Sequence, residues 1–376
     1  MDTRHERRGP GDQGKPRAGA WNMPPGCVPP DLSGPITEAQ IFLTRECTVS
    51  CGYCKLIDRT LPELGLGEWK RGMENLAAAG IKTVKILGGE PTVKSWLPEL
   101  VSHAAGLGIR TALLSNSTFD EATLYRLLDC GLYGYFASVD GLSDLEHFDA
   151  ETGRKSAAGY TMLKRLMGRG IPLLAANTVI QRQNAREIPE LCRRLSDEGF
   201  YVNLCTLQHT SDERREFSRA RRRGPEGGST GSGPDLGSGE GVRDDPARFR
   251  ESDRTFLRDL GRELAAMKRR GVRIAVPDQY LLGMTEFGVD CSWKCTRPVQ
   301  LRIDADGGMM LCNEYRTTLA DTFTVTRFDS ACYERWLSQW IEERNRIDCS
   351  GCYWSCFIQA EENIRAQRLE FDYSGS

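Results

Sequence analysis

Short apolar runs and amphipathic segments alternate along the chain between residues 36 and 207. The runs rich in β-branched and apolar residues are Ile41–Thr44, Thr83–Leu87, Arg110–Leu114, Tyr133–Ser138, Leu173–Val179 and Tyr201–Leu207. Between them, apolar side chains recur at helical spacing, as at Trp69, Met73 and Leu76. Buried parallel strands joined by crossover helices produce this alternation. The sequence therefore predicts an α/β fold arranged as a partial (β/α)6 barrel.

Composition divides the chain into four parts. Residues 1–34 are rich in Pro, Gly and Arg and have no apolar period, which predicts a flexible arm. Residues 35–210 carry the barrel pattern. Residues 211–250 turn Arg-rich and then Gly/Ser-rich, which is typical of a disordered linker or of a lid over an active site. Residues 251–376 begin with an amphipathic helix and continue into a cysteine-dense C-terminal domain.

Charge and hydropathy exclude several classes of partner. The chain has 50 Lys and Arg against 52 Asp and Glu, mixed throughout, so nothing favours binding to nucleic acid or anionic lipid. No run approaches the roughly 20 apolar residues that cross a bilayer, and the polar N-terminal residues do not resemble a signal peptide. We therefore expect a cytoplasmic protein without a membrane partner. In that reducing compartment, 14 cysteines indicate metal binding or catalysis rather than disulfides.

Three cysteines follow the first predicted strand in close succession, at Cys47, Cys51 and Cys54. Thiolates are the ligands of iron–sulfur clusters, and a four-iron cluster offers more corners than three thiolates can occupy. The remaining iron would be open to the amino and carboxylate groups of an external chelator. The alternative is a zinc site, but structural zinc takes four protein ligands, and no histidine lies nearby in the sequence.

Glycine or polar residues end the next three predicted strands. The second strand is followed by Gly88, Gly89, Glu90 and Pro91. Glycine lets a backbone approach a ligand closely, and a carboxylate accepts hydrogen bonds from an ammonium group. The third and fourth strands end at Ser115, Asn116, Ser138 and Asp140. Their position at the carboxyl ends of parallel strands predicts ligand contacts, although Ser, Asn and Asp are equally typical of helix caps.

The spacing of these motifs resembles that of the radical S-adenosylmethionine (radical SAM) superfamily over residues 36–207. The resemblance implies that Cys47, Cys51 and Cys54 hold a [4Fe-4S] cluster that cleaves S-adenosylmethionine. It also implies that the segment from Gly88 to Pro91 binds the methionine amino group. The cofactor's carboxylate and ribose hydroxyls would be bound by Ser115, Asn116, Ser138 and Asp140. A flavodoxin or a ferredoxin would donate the electron.

The C-terminal cysteines indicate a second cluster. Apolar alternation around an Asp-Gly turn predicts a β-hairpin at residues 301–312, whose ends bring Cys295 and Cys312 together. The pattern resembles the SPASM domain and its shorter version, twitch, which implies one auxiliary [4Fe-4S] cluster. By that resemblance its ligands are Cys295, Cys312, Cys349 and Cys352, with Cys356 as a further candidate. A zinc ribbon is the alternative, because paired cysteines on hairpins also bind zinc.

The spacing departs from the full SPASM pattern and leaves some cysteines ambiguous. Cys291 and Cys356 are either replacement ligands or free thiols, and a free thiol such as Cys291 can donate a hydrogen atom to a substrate radical. The other cysteines are predicted to be small packing residues. They are Cys27, Cys130, Cys192, Cys205 and Cys332.

The resemblance implies a shared first step and leaves the product open. S-adenosylmethionine would break into methionine and a 5′-deoxyadenosyl radical, which takes hydrogen from an unactivated carbon. We expect oxidation or epimerisation of a small polar intermediate of an antibiotic pathway, such as a sugar, an aminocyclitol or a nucleoside, because the N-terminal arm is too polar to bind a leader peptide. The alternatives are cross-link or thioether formation in a peptide, sulfur insertion from the auxiliary cluster, and a metal-binding or redox-sensing protein without catalysis.

Overall fold

The six predicted strands are present, with ends that differ by at most three residues from the prediction. The computed structural model describes residues 35–54, 61–141, 150–207, 247–284, 295, 297–313, 315–347, 355–366 and 368–369. The strands are β1 (Glu38–Thr44), β2 (Thr83–Gly88), β3 (Arg110–Ser115), β4 (Gly134–Ser138), β5 (Leu173–Ile180), β6 (Tyr201–Thr206) and a seventh, β7 (Leu301–Ile303). They form one parallel sheet in the order β6-β5-β4-β3-β2-β1-β7, which curves into a half-barrel.

Helices follow the strands as the amphipathic pattern predicts. They are α1 (Leu66–Ala78), α2 (Leu97–Gly106), α3 (Glu121–Asp129), α4 (Ala150–Leu166), α5 (Ile188–Asp197), α6 (Arg254–Arg269), α7 (Asp278–Leu282), α8 (Thr318–Thr322), α9 (Ser330–Arg346) and α10 (Ser355–Ala366). The buried face of α1 carries Trp69, Met73 and Leu76, the residues whose spacing predicts it. Each such side chain contributes roughly 1.5–3 kcal/mol through burial. None of the described helices is long and apolar enough to cross a membrane.

The hairpin predicted at residues 301–312 joins the barrel sheet directly. Ile303 forms an antiparallel bridge with Met309, and Gly307 takes the turn with a φ of 82°, which favours glycine. The outgoing strand β7 also pairs in parallel with β1, with Leu301 opposite Ala39. The sequence pattern does not predict this pairing, because three residues are too few to show a strand period. The hairpin that ends at Cys312 is thereby fixed to the edge of the half-barrel.

Two predicted segments lie outside the described residues. These are the arm at residues 1–34 and the linker up to residue 246. Where the description resumes, Ala247 and Phe249 are buried, and the Arg182 N–H donates to the Ala247 carbonyl at 2.9 Å. The end of the predicted linker therefore packs against the segment that follows β5. The four-part division of the chain stays a prediction.

A buried acid on α10 makes the stability of the fold depend on pH. Burial raises the pKa of Glu361 to about 8, opposed only by the charge of Arg365. The folded state then binds a proton that the unfolded state has released, so stability falls as pH rises from about 4.5 to 8. We expect Glu361→Gln to match the wild type near pH 4 and to be more stable at pH 9 by about 5 kcal/mol at most.

Thermal unfolding followed by circular dichroism at several pH values measures this difference. The matched control is Glu362→Gln, one residue further along α10, where the side chain is 34% exposed. It is expected to stay within about 0.5 kcal/mol of the wild type at each pH. A Glu361→Gln curve parallel to that of the wild type would contradict the assignment of a buried neutral acid.

Candidate functional site

The three N-terminal cysteines lie on one loop, residues 45–54, which follows β1 and which we term the cysteine loop. The Cys54 N–H donates to the Cys51 carbonyl at 3.0 Å, so these two cysteines share one turn. None of the three cysteines is in a disulfide; Cys47 and Cys51 are half-buried and Cys54 is exposed. Within the described ranges, no three Cys, His, Asp or Glu side chains are close enough to hold one metal ion.

Asn116 connects the end of β3 to the cysteine loop. Its Nδ2 donates to Cys47 Sγ at 3.6 Å and to Thr48 Oγ1 at 3.0 Å. Neither Asn116 nor the preceding Ser115 caps a helix, because the next helix, α3, is capped by the Asp120 carboxylate. The capping alternative is therefore excluded for these two residues, and Asn116 instead orients the first cysteine.

The Glu90 carboxylate is buried and accepts four hydrogen bonds. Oε1 accepts from the Thr92 N–H at 3.2 Å, from the Thr92 hydroxyl at 2.7 Å and from the Ser115 hydroxyl at 2.9 Å. Oε2 accepts from the Asn116 N–H at 2.7 Å. Burial raises the pKa of Glu90 above its ordinary value. The hydrogen bonds from these donors lower the pKa, but they do not cancel the effect of burial. Glu90 thus ties the turn after β2 to the end of β3, and its predicted contact with the methionine amino group would use the remaining acceptor position of Oε2.

Gly88 and Gly89 let the turn after β2 lie directly on the chain that leads into the cysteine loop. A Cβ on Gly88 would stand 2.3 Å from the Thr44 carbonyl oxygen, and one on Gly89 would stand 2.0 Å from the Glu46 carbonyl oxygen. The Gly89 N–H donates to the Thr44 carbonyl at 2.8 Å, and the Glu90 N–H donates to the Glu46 carbonyl at 2.7 Å. The glycines are therefore required for protein packing, in addition to the ligand contact that the sequence predicts.

We expect Gly89→Ala to destabilise the protein by about 3 kcal/mol, because the atom that its Cβ would meet belongs to the backbone and cannot rotate away. The matched control is Gly67→Ala in α1, where nothing lies within 4 Å of the added Cβ. Removing a helical glycine there should stabilise the protein by about 0.5 kcal/mol. Denaturant unfolding of both variants tests the difference, and equal midpoints would show that the two segments are not in contact.

Asp140 follows β4, and its carboxylate is engaged by protein groups. Oδ2 accepts from the Tyr53 hydroxyl at 2.7 Å and from Lys155 Nζ at 2.6 Å, and Oδ1 accepts from the Val179 N–H at 2.8 Å. Tyr53 belongs to the cysteine loop and Lys155 to α4. Burial alone would lower the pKa of Lys155, but the charges of Asp140 and Cys51 raise it above its ordinary value. These protein contacts do not test the predicted contact of Asp140 with the ribose of the cofactor, which stays a prediction.

Pro91 and Ser138 take part in the site mainly through their backbone atoms. Pro91 is buried and begins the 3-10 turn Pro91–Val93, which Glu90 caps. The Ser138 carbonyl oxygen would lie 2.3 Å from a Cβ on Gly159, so α4 packs closely against the end of β4. The predicted cofactor contacts of Pro91 and Ser138 stay predictions.

An ion-pair network connects the cysteine loop to the hairpin. Arg45 Nε donates to Asp304 Oδ1 at 3.1 Å, and Arg45 Nη2 contacts the same oxygen. On the other side, Arg316 Nη1 donates to Asp304 Oδ2 and to Asp306 Oδ1, each at 3.0 Å. Asp304 is completely buried and directly follows β7. The network fixes the loop that carries Cys47 relative to the hairpin that ends at Cys312.

Cys295 and Cys312 are the predicted auxiliary ligands that the structure describes, together with Cys356. Trp340 Nε1 donates to the Leu311 carbonyl, and Arg344 Nε donates to the Cys295 carbonyl, each at 3.0 Å. Because Trp340 and Arg344 are one turn apart on α9, the chain around both cysteines meets the same helix face. Three other candidates lie outside the described residues, so the auxiliary site stays a prediction. They are Cys291, Cys349 and Cys352.

A cavity of about 190 Å³ lies on the inner face of the half-barrel. Polar side chains of the strands line it, with Gln40 on β1, Lys85 on β2, Asn177 on β5 and Asn203 on β6. Parallel strands buried on both faces are expected to be apolar throughout. A polar residue inside such a run is therefore the sequence signal for this cavity, and the predicted site residues did not include these four. Cys356 of α10 also lines the cavity.

Two thiols line this cavity and differ in their pKa. Burial raises the pKa of Cys205 to about 12. Burial would also raise the pKa of Cys356, but the charges of Arg302 and Lys85 lower it below its ordinary value. Arg302 Nη2 donates to Cys356 Sγ at 3.0 Å. Cys356 thus has a charged partner in the cavity wall, and its role as a cluster ligand stays a prediction.

Comparison with known proteins identifies relatives of the barrel region. Residues 41–223 match the family model described as the Radical SAM superfamily. A PqqA peptide cyclase from Bradyrhizobium diazoefficiens is 31% identical over 160 residues, which are 41% of this chain and 42% of that protein. The chain therefore matches about two fifths of the length of this curated relative.

Solved structures share the fold at low sequence identity. Streptococcus suis SuiB bound to the precursor peptide SuiA superposes with a TM-score of 0.59 at 15% identity, covering 87% of this chain and 71% of that chain. The protein anSMEcpe with bound AdoMet and Cp18Cys peptide gives a TM-score of 0.56 at 13% identity, covering 88% and 95%. The similarity confirms the predicted α/β half-barrel.

The expected small polar substrate, a sugar, an aminocyclitol or a nucleoside of an antibiotic pathway, is wrong by these comparisons. The relative is named for a peptide, and both solved neighbours are described with a bound peptide. The expectation rested on the polarity of the N-terminal arm. Substrate choice depends instead on the residues around the reacting carbon, and the arm provides no information about them. The preference for a small-molecule partner is wrong for the same reason.

Proposed function

Because residues 41–223 match the Radical SAM family model, we propose that this protein is an enzyme that modifies a peptide by radical chemistry and forms a cross-link in it. The observation that carries the proposal is the cavity of about 190 Å³ on the inner face of this domain, whose wall combines apolar side chains with the amide side chains of β1, β5 and β6. Cross-link formation removes two hydrogen atoms from the peptide, so the reaction would be an oxidation. One hydrogen atom would pass to the 5′-deoxyadenosyl radical, and the other would leave as a proton to solvent and an electron to the predicted auxiliary cluster. The name of the cyclase relative supports this reaction over epimerisation and over sulfur insertion.

The cysteine loop fits a [4Fe-4S] cluster. Radical SAM enzymes use S-adenosylmethionine and such a cluster. The donor set on this loop is three reduced cysteines, of which Cys47 accepts a hydrogen bond from Asn116. Each ligand of such a cluster binds its own iron corner, so three cysteines on one loop supply the thiolate donors that a cluster requires. Cys47, Cys51 and Cys54 would hold three corners and leave the fourth iron for S-adenosylmethionine.

The protein's own residues would position the reactants. When bound, the cluster and S-adenosylmethionine together supply a 5′-deoxyadenosyl radical that removes hydrogen from an unactivated carbon. Asn116 contacts Cys47 and Thr48, and Glu90 accepts from the Asn116 N–H, so the cysteine loop and the turn after β2 are held as one unit. The half-barrel and α10 surround the cavity, which would keep water from the reacting carbon.

The size and chemistry of the cavity favour a peptide side chain as its occupant. Pockets that enclose a whole small ligand usually measure roughly 300–1,000 Å³. A cavity of about 190 Å³ is better suited to one side chain of a longer ligand whose backbone stays outside. Asn203 Nδ2 donates to Asn177 Oδ1 at 2.7 Å, so the Asn177 Nδ2 and the Asn203 Oδ1 are the donor and the acceptor that would match the C=O and N–H groups of a peptide.

The experiment that tests the proposal measures 5′-deoxyadenosine release and product mass. The anaerobically reconstituted full chain is incubated with S-adenosylmethionine and dithionite. One set of reactions contains synthetic peptides encoded by short reading frames beside the gene, and the other contains a mixture of sugars, aminocyclitols and nucleosides. We expect a peptide to stimulate release and to lose two hydrogen atoms, located by fragmentation between two residues. Stimulation by the metabolite mixture alone would overturn the proposal, as would a peptide product with unchanged mass.

A further inference from the structure

A hydroxyl, a carboxylate and an ammonium group meet behind the cysteine loop. Tyr53 lies between Cys51 and Cys54 in the chain, and its hydroxyl donates to Asp140 Oδ2 at 2.7 Å. Lys155 Nζ donates to the same carboxylate oxygen at 2.6 Å and also contacts the Tyr53 hydroxyl. The ammonium nitrogen lies 4.9 Å from the centroid of the Tyr53 ring. One aromatic side chain of the cysteine loop is therefore held at its hydroxyl and on its ring face.

We propose that Tyr53, Asp140 and Lys155 form a positioning set, the Tyr53 lock, which holds the turn from Cys51 to Cys54 in its cluster-binding shape. This inference rests on the proposed function, because it takes these cysteines as cluster ligands. The lock acts through the loop, and its residues are positioning residues rather than catalytic ones.

The anchor of the lock is rigid. Asp140 is completely buried and Lys155 is 4% exposed. Removing one partner of such a buried ion pair strongly destabilises a protein, because the other charge is left buried without compensation. Asp140 is fixed further by its own N–H, which donates to Ser156 Oγ at 2.9 Å, and by the Val179 N–H, which donates to Oδ1. The carboxylate therefore has a fixed place between β4, β5 and α4, against which the Tyr53 hydroxyl of the cysteine loop is held.

Gly159 sets the distance between α4 and the lock. It lies one helical turn after Lys155, and a Cβ at this position would be 2.3 Å from the Ser138 carbonyl oxygen. The absence of a side chain lets α4 approach the end of β4 closely enough for Lys155 to reach Asp140. Two adjacent turns of α4 thus contact the segment from Ser138 to Asp140, one through glycine packing and one through the ion pair.

The chain contains a matched control with the same chemical groups on the same helix. The Tyr160 hydroxyl donates to Glu198 Oε1 at 2.7 Å, Lys164 Nζ donates to Glu198 Oε2 at 3.1 Å, and Lys164 lies 5.8 Å from the Tyr160 ring centroid. This trio connects α4 to the end of α5 and has no residue on the cysteine loop. Tyr160→Phe therefore removes an equivalent hydroxyl without touching the lock.

The test compares cluster release from Tyr53→Phe, Tyr160→Phe and the wild type. The full chain is reconstituted anaerobically, and iron transfer to bathophenanthroline disulfonate is followed by absorbance, with circular dichroism to establish that each variant is folded. We expect release from the cysteine loop of Tyr53→Phe to be about tenfold faster, because a hydrogen bond to a charged group is lost. We also expect a broadened electron paramagnetic resonance signal with S-adenosylmethionine. Tyr160→Phe should behave as the wild type does in both measurements.

Each other outcome overturns the lock. Release from Tyr53→Phe at the wild-type rate, with an unchanged signal, overturns it while leaving the proposed function intact. Equal acceleration in Tyr53→Phe and Tyr160→Phe also overturns it, since the effect would then come from loosening α4. A wild-type chain that holds no cluster overturns the proposed function and the lock together. A second test uses Lys155→Met alone and combined with Tyr53→Phe. The effects of the two substitutions on cluster release should be non-additive in the double variant. Additive effects would show that the two residues act separately.

Discussion

Alanine in place of Cys47, Cys51 or Cys54 is expected to remove one cluster, about four iron atoms per chain, and to abolish cleavage of S-adenosylmethionine. The physical reason is the ligand count. Three thiols already leave one iron of a cubane without a protein ligand, and the loss of another exposes a second corner to solvent and to chelators. Iron and acid-labile sulfide analysis measures the loss, and electron paramagnetic resonance with and without the cofactor shows whether the remaining iron responds to it.

The control for these variants is Cys130→Ala at the end of α3, where the thiol is half-buried and free. It should keep the iron content and the cofactor-dependent signal of the wild type. Iron that survives in a variant lacking all three N-terminal cysteines would report on the predicted auxiliary site. If any single alanine variant still releases 5′-deoxyadenosine, the assignment of that cysteine is wrong. Zinc in place of iron in the wild type would support the zinc alternative.

The strands and the outer helices could be predicted because their sequence period is determined by burial on one element. The residues that predict α5, such as Ile188, Leu191 and Leu195, are all buried in the structure. The apolar run at Leu173–Val179 likewise becomes β5 with one additional residue. In these segments the burial of each residue depends on its position within one helix or strand. The pattern can therefore be recognised within a short stretch of sequence.

The site residues missed by the sequence pattern depend on contacts between distant segments. Tyr53 and Lys155 are 102 residues apart, and Arg45 and Asp304 are 259 residues apart. Nothing in the local period of a segment indicates which distant carboxylate its tyrosine or arginine meets. The polar residues of the cavity left a weaker signal, because Asn177 and Asn203 interrupt apolar runs at positions that face inward. To infer a cavity from these polar residues, one must know which strands are neighbours in the sheet. The local sequence does not give that order.

Removal of the Asp304 carboxylate is expected to cost about 3–5 kcal/mol of unfolding free energy, because it leaves two arginines in a buried network without their shared partner. Asp304 is completely buried and accepts from Arg45 and Arg316, and Oδ1 also accepts from the Ala305 N–H at 2.8 Å. Asp304→Asn keeps the shape of the side chain and removes the charge. The amide can still accept hydrogen bonds through one oxygen only, so at least one arginine loses its acceptor.

A matched control uses the same arginine. Arg316 also lies 3.6 Å from Asp321, but that side chain is 72% exposed, so Asp321→Asn should cost no more than about 0.5 kcal/mol. Denaturant unfolding of both variants measures the two costs. Asp304 also connects the cysteine loop to the hairpin, so Asp304→Asn should lose iron from the N-terminal cluster faster than Asp321→Asn does. Equal stability of the two variants would show that the buried network does not hold the loop. A large loss of stability with unchanged iron release would show that it supports the fold without positioning Cys47.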